Sequence, residues 1–292
     1  MRDEAPTSPG SGELIDESVL LVDVEGVGRY TLMWTAPDGA ARAEGYARGD
    51  GWLGEGERSG AVALAAGFAF GEGLFDRLDE LESIARCHAS PEVVRVTLAP
   101  RARARAAAGS RRAVREVRSS CGACGGDGVA HLLNGAAPIV ASTMQSLTGM
   151  SRLAAAMQRR QVLWRKTGAA HAALLFSPAG RVLAFAEDLG RHNALDKAIG
   201  SCLLDGIELE GCGVVLSSRL SFEMVAKAAR AGLAIVAGVS AASSLAVRTA
   251  HAHGITLCGF LREERMTVYT HKWRMAVDAS ARARDADPVS AL

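Results

Sequence analysis

The sequence is poor in aromatic residues, has almost no net charge and contains no long apolar segment. Aromatic side chains form 5% of its 292 residues, so a hydrophobic core must be built mainly from Ala, Val and Leu. The 33 basic and 32 acidic side chains exclude a global field that would attract nucleic acid or an anionic membrane. The most apolar run, residues 232–242, is shorter than the roughly 18 residues that a transmembrane helix needs, and we interpret it as a buried strand with its turn.

The first residues show no secretion signal, and few of the cysteines are close to one another in sequence. Residues 1–12 lack the basic start and apolar centre of a signal peptide, so we expect a cytoplasmic protein. Of the six cysteines, only Cys121 and Cys124 are close in sequence. A disulfide framework is therefore not expected, and reduced thiols fit a cytosolic chain better.

The composition and the order of the predicted strands and helices favour a layered α/β protein. Hydrophobic residues make up 49% of the chain and glycines number 32, which is typical of a core of small apolar residues with many turns. In the second half predicted strands alternate with predicted helices, the strands at 172–176, 182–186, 214–216, 233–237 and 255–260, and the helices at 192–204, 222–231 and 244–252. This order predicts right-handed crossovers onto a largely parallel sheet. Gly232 and Gly254 stand where helices are expected to end, and Ser221 where one is expected to be capped.

The first half has a weaker pattern. Alternating apolar residues predict a hairpin over 13–35 and a strand over 93–98. Residues 37–60 are crowded with Gly, Arg and Glu, which predicts an inserted loop before a helix over 61–70. We divide the chain into an N-terminal β-rich region at 1–145, an α/β domain at 146–280 and a tail at 281–292.

The sharpest local feature is the Cys-x-x-Cys pair formed by Cys121 and Cys124 in a glycine-rich setting. A structural zinc site needs a second pair or a Cys/His couple, and the chain has no second Cys-x-x-Cys. A redox couple is expected near a βαβ pattern, whereas a persulfide carrier needs an exposed thiolate. The preceding residues 101–118 contain seven arginines, which favour a thiolate but equally fit a solvated basic face. The residues alone leave zinc binding, redox chemistry, persulfide carriage and an incidental pair open.

A second dense feature is the block at residues 188–197. A glycine before polar residues at a strand-to-helix junction presents backbone N–H groups, and Arg191 adds a fixed positive charge that suits a phosphate or a pterin. The alternative is structural, with Asp188, Arg191 and Asp196 in caps and ion pairs and His192 as a hydrogen-bonded core histidine.

A third feature is the predicted ligand edge, because ligands of open α/β sheets bind at the carboxyl ends of the strands. Two of these strands are followed by segments that contain hydroxyls and arginines. The first segment is Ser217, Ser218 and Arg219, and the second is Phe260, Leu261, Arg262, Glu263, Glu264 and Arg265. Arg262 and Arg265 are suited to bidentate contacts with phosphate. The alternative is that both groups are solvated surface.

Taken together, these motifs resemble the formate dehydrogenase accessory sulfurtransferases, the FdhD family of sulfur carrier proteins. The resemblance extends over about residues 20–275 and rests on the stretches at 67–73, 120–125, 167–173, 188–197, 217–229 and 259–271. The string Gly-Arg-His-Asn-Ala-Leu-Asp-Lys at 190–197 is its most specific part. The chain departs from the family pattern in a longer segment at 37–60 and in Ala169, where a second glycine is expected.

The resemblance implies a cytidine-deaminase-like, three-layer α/β/α domain beside a smaller β-rich N-terminal region. It also implies that an L-cysteine desulfurase supplies sulfur, and that the acceptor is the molybdenum or tungsten bis(molybdopterin guanine dinucleotide) cofactor of a formate dehydrogenase. Cys121 then corresponds to the persulfide cysteine, Cys124 to its companion, and 260–265 to the stretch that holds the guanine dinucleotide. We add Arg191, His192, Ser217 and Ser218 to the expected cofactor-binding residues.

Other implications concern assembly and rival functions. A homodimer is an expectation from the resemblance, and zinc deamination is not implied because the chain lacks His-x-Glu with Pro-Cys-x-x-Cys. One rival function is a cofactor-binding chaperone whose cysteines carry no sulfur. Another is a thiol redox protein, against which the arginine-rich approach and two phosphate-suited loops argue.

Overall fold

The structure is a computed structural model that describes residues 13–36, 44–47, 51–54, 60–110, 133, 136–263 and 265–276. Cys121, Cys124, Glu264 and the predicted tail at 281–292 lie outside these ranges. Within them, no helix is both long and apolar enough to cross a membrane.

The N-terminal half forms a six-stranded sheet in the order β2-β1-β6-β5-β3-β4. Its strands are β1 (Ser18–Val24), β2 (Gly28–Trp34), β3 (Glu44–Ala47), β4 (Gly51–Gly54), β5 (Leu81–Arg86) and β6 (Val93–Leu98). The predicted hairpin is confirmed as β1 and β2, which pair antiparallel with Leu20 opposite Leu32. Alternation places Leu20, Val22 and Val24 on the buried face of the sheet.

The interpretation of residues 37–60 as an inserted loop is wrong for the described part of that segment. Glu44–Ala47 and Gly51–Gly54 pair as an antiparallel hairpin, and β3 continues the sheet by pairing with β5. The segment lacks a clear apolar alternation, so its pairing depends on the open edge of β5, which local sequence does not reveal.

The C-terminal half forms a second six-stranded sheet in the order β13-β12-β11-β10-β8-β9. Its strands are β8 (His171–Phe176), β9 (Val182–Asp188), β10 (Gly213–Leu216), β11 (Ile235–Gly238), β12 (Thr256–Gly259) and β13 (Thr267–Val268). The two strands β7 (Gln145–Ser146) and β14 (Met275–Ala276) form a separate parallel pair. The prediction of a largely parallel sheet is only partly correct, because β10, β11 and β12 are parallel whereas β8, β9 and β13 add antiparallel pairs.

Seven helices with described ends surround the sheets. They are α1 (Gly60–Gly71), α2 (Pro100–Ser110), α3 (Leu147–Arg160), α4 (Val162–Thr167), α5 (Arg191–Leu204), α6 (Phe222–Arg230) and α7 (Ser244–Ala252). Gly232 and Gly254 follow α6 and α7 with φ of 71° and 69°, the left-handed conformation that ends helices and favours glycine. Ser221 precedes α6 but makes no capping hydrogen bond, contrary to the prediction, because its hydroxyl contacts the Glu223 carboxylate at 3.4 Å.

The helices α1 and α5 join the two sheets in one core. A Cβ on Gly200 of α5 would lie 1.9 Å from the carbonyl oxygen of Ala63 in α1, so the two backbones meet without side chains between them. One continuous buried cluster contains Leu20 of the first sheet and Leu174 of the second. The division at residue 145 stays a prediction.

Candidate functional site

One edge of the second sheet collects the ends of five strands. The parallel strands β10, β11 and β12 finish there, whereas the antiparallel strand β8 begins there at His171, opposite Asp188 at the end of β9. The backbone N–H of Ser217 donates to the Ala172 carbonyl at 3.0 Å and ties β10 to β8 at this edge. The edge therefore runs from the basic residues near β8 to the loop after β12.

The loop after β12 presents an aromatic side chain to solvent. Phe260 has a φ of 51°, and its side chain is 45% exposed. Its backbone N–H donates to the Ser240 carbonyl at 3.1 Å, and that of Leu261 donates to the Gly238 carbonyl at 3.0 Å. Backbone contacts with the end of β11 thus hold Phe260 in a conformation that is uncommon for a bulky residue.

The next turn of this loop is fixed by Arg262 and by a residue from α3. The Arg262 guanidinium donates through Nη1 to the Val239 carbonyl at 2.6 Å, so part of it serves the loop itself. The hydroxyl of Ser151 is 2.7 Å from the Glu263 carbonyl and 3.2 Å from that of Arg262. Arg265 is exposed, and its carbonyl accepts from the Arg262 N–H at 2.8 Å. Sequence reasoning missed Ser151, because no pattern links a helical serine to a loop more than a hundred residues later.

A cluster of basic side chains lies at the β8 end of the edge. Burial lowers the pKa of the half-buried His171, and the neighbouring charges of Arg191, His192 and Arg219 lower it further. Arg191 is the first residue of α5, and its Nε atom is buried with no hydrogen-bond partner among the described residues. We call these four residues the basic cluster. The cluster joins the predicted binding residues Arg191 and His192 to His171 and Arg219.

A carboxylate from α6 completes the cluster. Nε2 of His192 lies 3.0 Å from Oε2 of Glu223. The hydrogen bond from His192 lowers the pKa of Glu223, and the charge of Arg191 adds to this effect. Glu223 was not predicted, although its position in the first turn of a helix after a serine is typical of an acidic residue near a helix N-terminus.

The two predicted serines contact the backbone. The hydroxyl oxygen of Ser217 accepts from the Ala172 N–H at 2.7 Å. Ser218 is buried, and its hydroxyl donates to the Arg219 carbonyl at 3.0 Å. Both side chains therefore shape the turn that carries Arg219.

The acidic residues of the 188–197 block form buried ion pairs. Asp188 is fully buried, contacts Nζ of Lys197 at 2.6 Å and accepts from the Gly190 N–H at 2.9 Å. Asp196 accepts from Nζ of Lys227 with both carboxylate oxygens at 2.8 Å. These contacts match the structural alternative for both aspartates, and they leave Arg191 and His192 as the residues of this block that contribute to the basic cluster.

The predicted persulfide cysteines lie outside the described residues, but a described residue of the same segment contacts the site. Leu133 packs against Phe222 and Ala226 in α6, beside Glu223. Leu133 is nine positions after Cys124, and an extended chain of that length spans at most about 30 Å. Leu133, the described residue that follows the cysteine pair, therefore lies beside the helix that carries Glu223.

The four described cysteines are free thiols, as predicted for them. Cys202, Cys212 and Cys258 are buried, and burial raises the pKa of Cys212 and raises that of Cys258 to about 12. A buried thiol that stays protonated is a poor nucleophile. Cys87, partly exposed beside β5, is the described cysteine that most resembles a surface thiol.

Comparison with known proteins identifies the family. The family model described as the FdhD/NarQ family matches residues 58–276. The chain belongs to this family. Among curated relatives, the sulfur carrier protein FdhD of Variovorax paradoxus is 36% identical over 73% of this chain and 76% of its own length. The protein of the same name from Thermoplasma acidophilum is 38% identical over 73% of this chain and 74% of its own length.

A solved structure supports the fold of this FdhD/NarQ chain. A putative formate dehydrogenase accessory protein from Desulfotalea psychrophila superimposes with a TM-score of 0.66 at 21% identity, covering 94% of this chain and 98% of that one. The predicted family and the mixed α/β architecture are thus confirmed. The cytidine-deaminase-like arrangement within that architecture stays a prediction.

Proposed function

We propose that this FdhD/NarQ chain is a cytoplasmic sulfurtransferase that carries sulfur as a persulfide on Cys121, with Cys124 as its companion. An L-cysteine desulfurase supplies the sulfur. The acceptor is the molybdenum or tungsten bis(molybdopterin guanine dinucleotide) cofactor of a formate dehydrogenase. The chain acts as a homodimer and binds this cofactor as a substrate. Membership of a family whose curated relatives are named sulfur carriers supports the proposal.

One observation carries the proposal, namely a single sheet edge that offers two kinds of ligand contact beside Leu133, which follows the cysteine pair in sequence. The loop at 260–265 presents an exposed aromatic ring and arginines, which suit a guanine base and its phosphates. The basic cluster lies at the other end of this edge, and Leu133 packs beside it. A dinucleotide-bearing substrate and a sulfur donor can therefore meet along one edge.

The loading step follows from thiol chemistry. The Cys121 thiolate attacks the terminal sulfur of the desulfurase persulfide, a new S–S bond forms on Cys121, and the desulfurase cysteine leaves as a thiolate. The burial of Cys202, Cys212 and Cys258 argues against these thiols as carriers. The proposed role of Cys124 is to accept or share the sulfur after Cys121.

Intact-protein mass spectrometry tests the proposal after incubation with a desulfurase and L-cysteine. We expect a gain of one sulfur atom that reductant removes, absent in Cys121→Ala and retained in the matched control Cys87→Ala. No gain by the wild-type chain with an active desulfurase contradicts sulfur carriage. If the cysteine variants also still activate a formate dehydrogenase, the chain is a cofactor-binding chaperone.

A further inference from the structure

The basic cluster has a donor that no described residue uses. The Nε atom of Arg191 is buried, and no described residue accepts from it. An unpaired buried donor destabilises a fold, so its presence here points to an acceptor that a ligand supplies. Two helices also begin here, α5 after Gly190 and α6 after Ser221, and neither has a side-chain cap. Their first N–H groups add partial positive charge at the same place.

The charge of the cluster is small. Arg191 and Arg219 contribute two guanidinium charges, and Glu223, bonded to His192, contributes one carboxylate. Asp188 and Asp196 are neutralised by their own lysines. Apart from its two histidines, the cluster therefore carries one net positive charge, which matches a monoanion more closely than a pyrophosphate.

The kind of anion follows from the surroundings of the charges. Guanidinium groups are weakly hydrated, and both histidines are at least half buried. A phosphate loses strong hydration on entering such a site, whereas a sulfur anion is large, polarisable and weakly hydrated. The cluster thus suits a singly charged sulfur anion better than the phosphates of a nucleotide.

The position of the cluster separates it from the predicted nucleotide loop. Three strand spacings lie between β8 and β12 in the sheet order β12-β11-β10-β8, a distance of about 14 Å. Leu133, which continues the cysteine-bearing segment, packs on α6 at the cluster end of the edge. The sulfur-bearing group and the nucleotide would therefore occupy different ends.

We propose that the basic cluster of His171, Arg191, His192 and Arg219 binds the terminal sulfur of a perthiolate, R–S–S⁻, while the loop at 260–265 holds the nucleotide end of the acceptor. This inference rests on the proposed sulfur-carrier function. The perthiolate belongs to Cys121 of this chain or to the desulfurase, and the recognised chemistry is the same. Arg191 and Arg219 hold the charge, and His171 donates an N–H to the sulfur.

Titration of the full-length chain tests the site with three probes: hydrosulfide, pyrophosphate and GDP. Binding is measured by calorimetry and by the nitrogen resonances of the His171 ring in a chain labelled with nitrogen-15 histidine. Arg219 is exposed, so Arg219→Gln does not threaten folding. We expect this substitution to weaken hydrosulfide binding about tenfold, because one charge-assisted hydrogen bond is lost. GDP binding should change less than about twofold. Arg248→Gln, an exposed arginine on α7, is the matched control and should change neither.

Loading with sulfur then distinguishes the two sources of the perthiolate. If the His171 resonance shifts when wild type is loaded and the shift is lost in Cys121→Ala, the perthiolate is this chain's own. If Cys121→Ala in complex with the persulfidated desulfurase still shows it, the desulfurase supplies it. Absence of hydrosulfide binding, or equal weakening of GDP and hydrosulfide by Arg219→Gln, overturns the proposal. A chain that binds hydrosulfide at the cluster but never gains sulfur contradicts the proposed function alone.

Discussion

Gly67 of α1 lies directly against the backbone of Asp196 in α5, so that a Cβ on residue 67 would be 1.9 Å from the Asp196 carbonyl oxygen. No real Cβ makes such a contact, so only glycine permits this separation of the two helices. The contact also fixes the part of α5 that carries Asp196 and Lys197, which form buried ion pairs with Lys227 and Asp188.

The first prediction is that Gly67→Ala destabilises the fold. Alanine gains about 1 kcal/mol in helix propensity over glycine, but the methyl group must displace a backbone, which costs about 1–3 kcal/mol or more. We expect a net loss of roughly 2 kcal/mol, measured by urea unfolding. Gly28→Ala is the control, because a Cβ there meets nothing within 4 Å. Equal unfolding midpoints for the two variants would refute the close contact.

The second prediction concerns the buried pair of Asp196 and Lys227. Lys227→Met removes the partner of a buried carboxylate that accepts two 2.8 Å hydrogen bonds, and we expect a loss of about 3–5 kcal/mol. The double variant Lys227→Met with Asp196→Asn should recover most of that loss, since no uncompensated charge remains. A double-mutant cycle from urea unfolding measures the coupling. Simple additivity of the two single variants would show that the pair is not coupled.

The sequence was most informative where the pattern is local. The helix predicted at 192–204 is observed as Arg191–Leu204, and the one predicted at 244–252 has those same ends. The antiparallel direction of β8 could not be predicted from the sequence. The direction of a strand in a sheet depends on its contacts with distant segments rather than on local alternation. The hairpin of β3 and β4 was missed for the same reason.

The site was predictable only in part. Arg191, His192 and Arg219 stand out in sequence because they lie at predicted strand ends. Their grouping around His171 depends on the antiparallel direction of β8, which brings the start of that strand beside the end of β10. The contact of His192 with Glu223 crosses between two helices and has no sequence signal.

The third prediction is a dependence of stability on acid pH through Glu80. The hydrogen bond from Arg105 is the main cause that lowers the pKa of Glu80 from 4.5 to about 2. Because the folded-state pKa is depressed, this contribution is present above pH 4.5 and disappears as the pH falls towards 2. Solvent screening limits it to about 1 kcal/mol. We expect the free energy of unfolding, measured in urea, to fall less between neutral pH and about pH 3 for Glu80→Gln than for wild type.

The control for this experiment is Glu92→Gln, an exposed carboxylate in the turn between β5 and β6. It should keep the acid sensitivity of the wild type. If Glu80→Gln loses as much stability as the wild type between the two pH values, the ion pair with Arg105 does not stabilise the fold.

The last prediction separates the nucleotide loop from the sulfur chemistry. The hydroxyl of Ser151 contacts the carbonyl oxygens of Arg262 and Glu263, so Ser151→Ala loosens the 260–265 loop without touching the basic cluster. The lost hydrogen bonds stabilise the binding conformation of the loop by about 1 kcal/mol, so their removal should weaken GDP binding about fivefold. Calorimetric titration with GDP measures this, with Ser83→Ala on β5 as a control for removal of a distant hydroxyl.

The same Ser151→Ala variant should gain sulfur from the desulfurase at the wild-type rate, because loading needs the thiol and not the nucleotide loop. Slower loading at unchanged GDP affinity would mean that α3 contacts the desulfurase rather than organising the loop. Weaker GDP binding with normal loading would instead show that the two ends of the sheet edge act separately, since three strand spacings, about 14 Å, lie between β8 and β12.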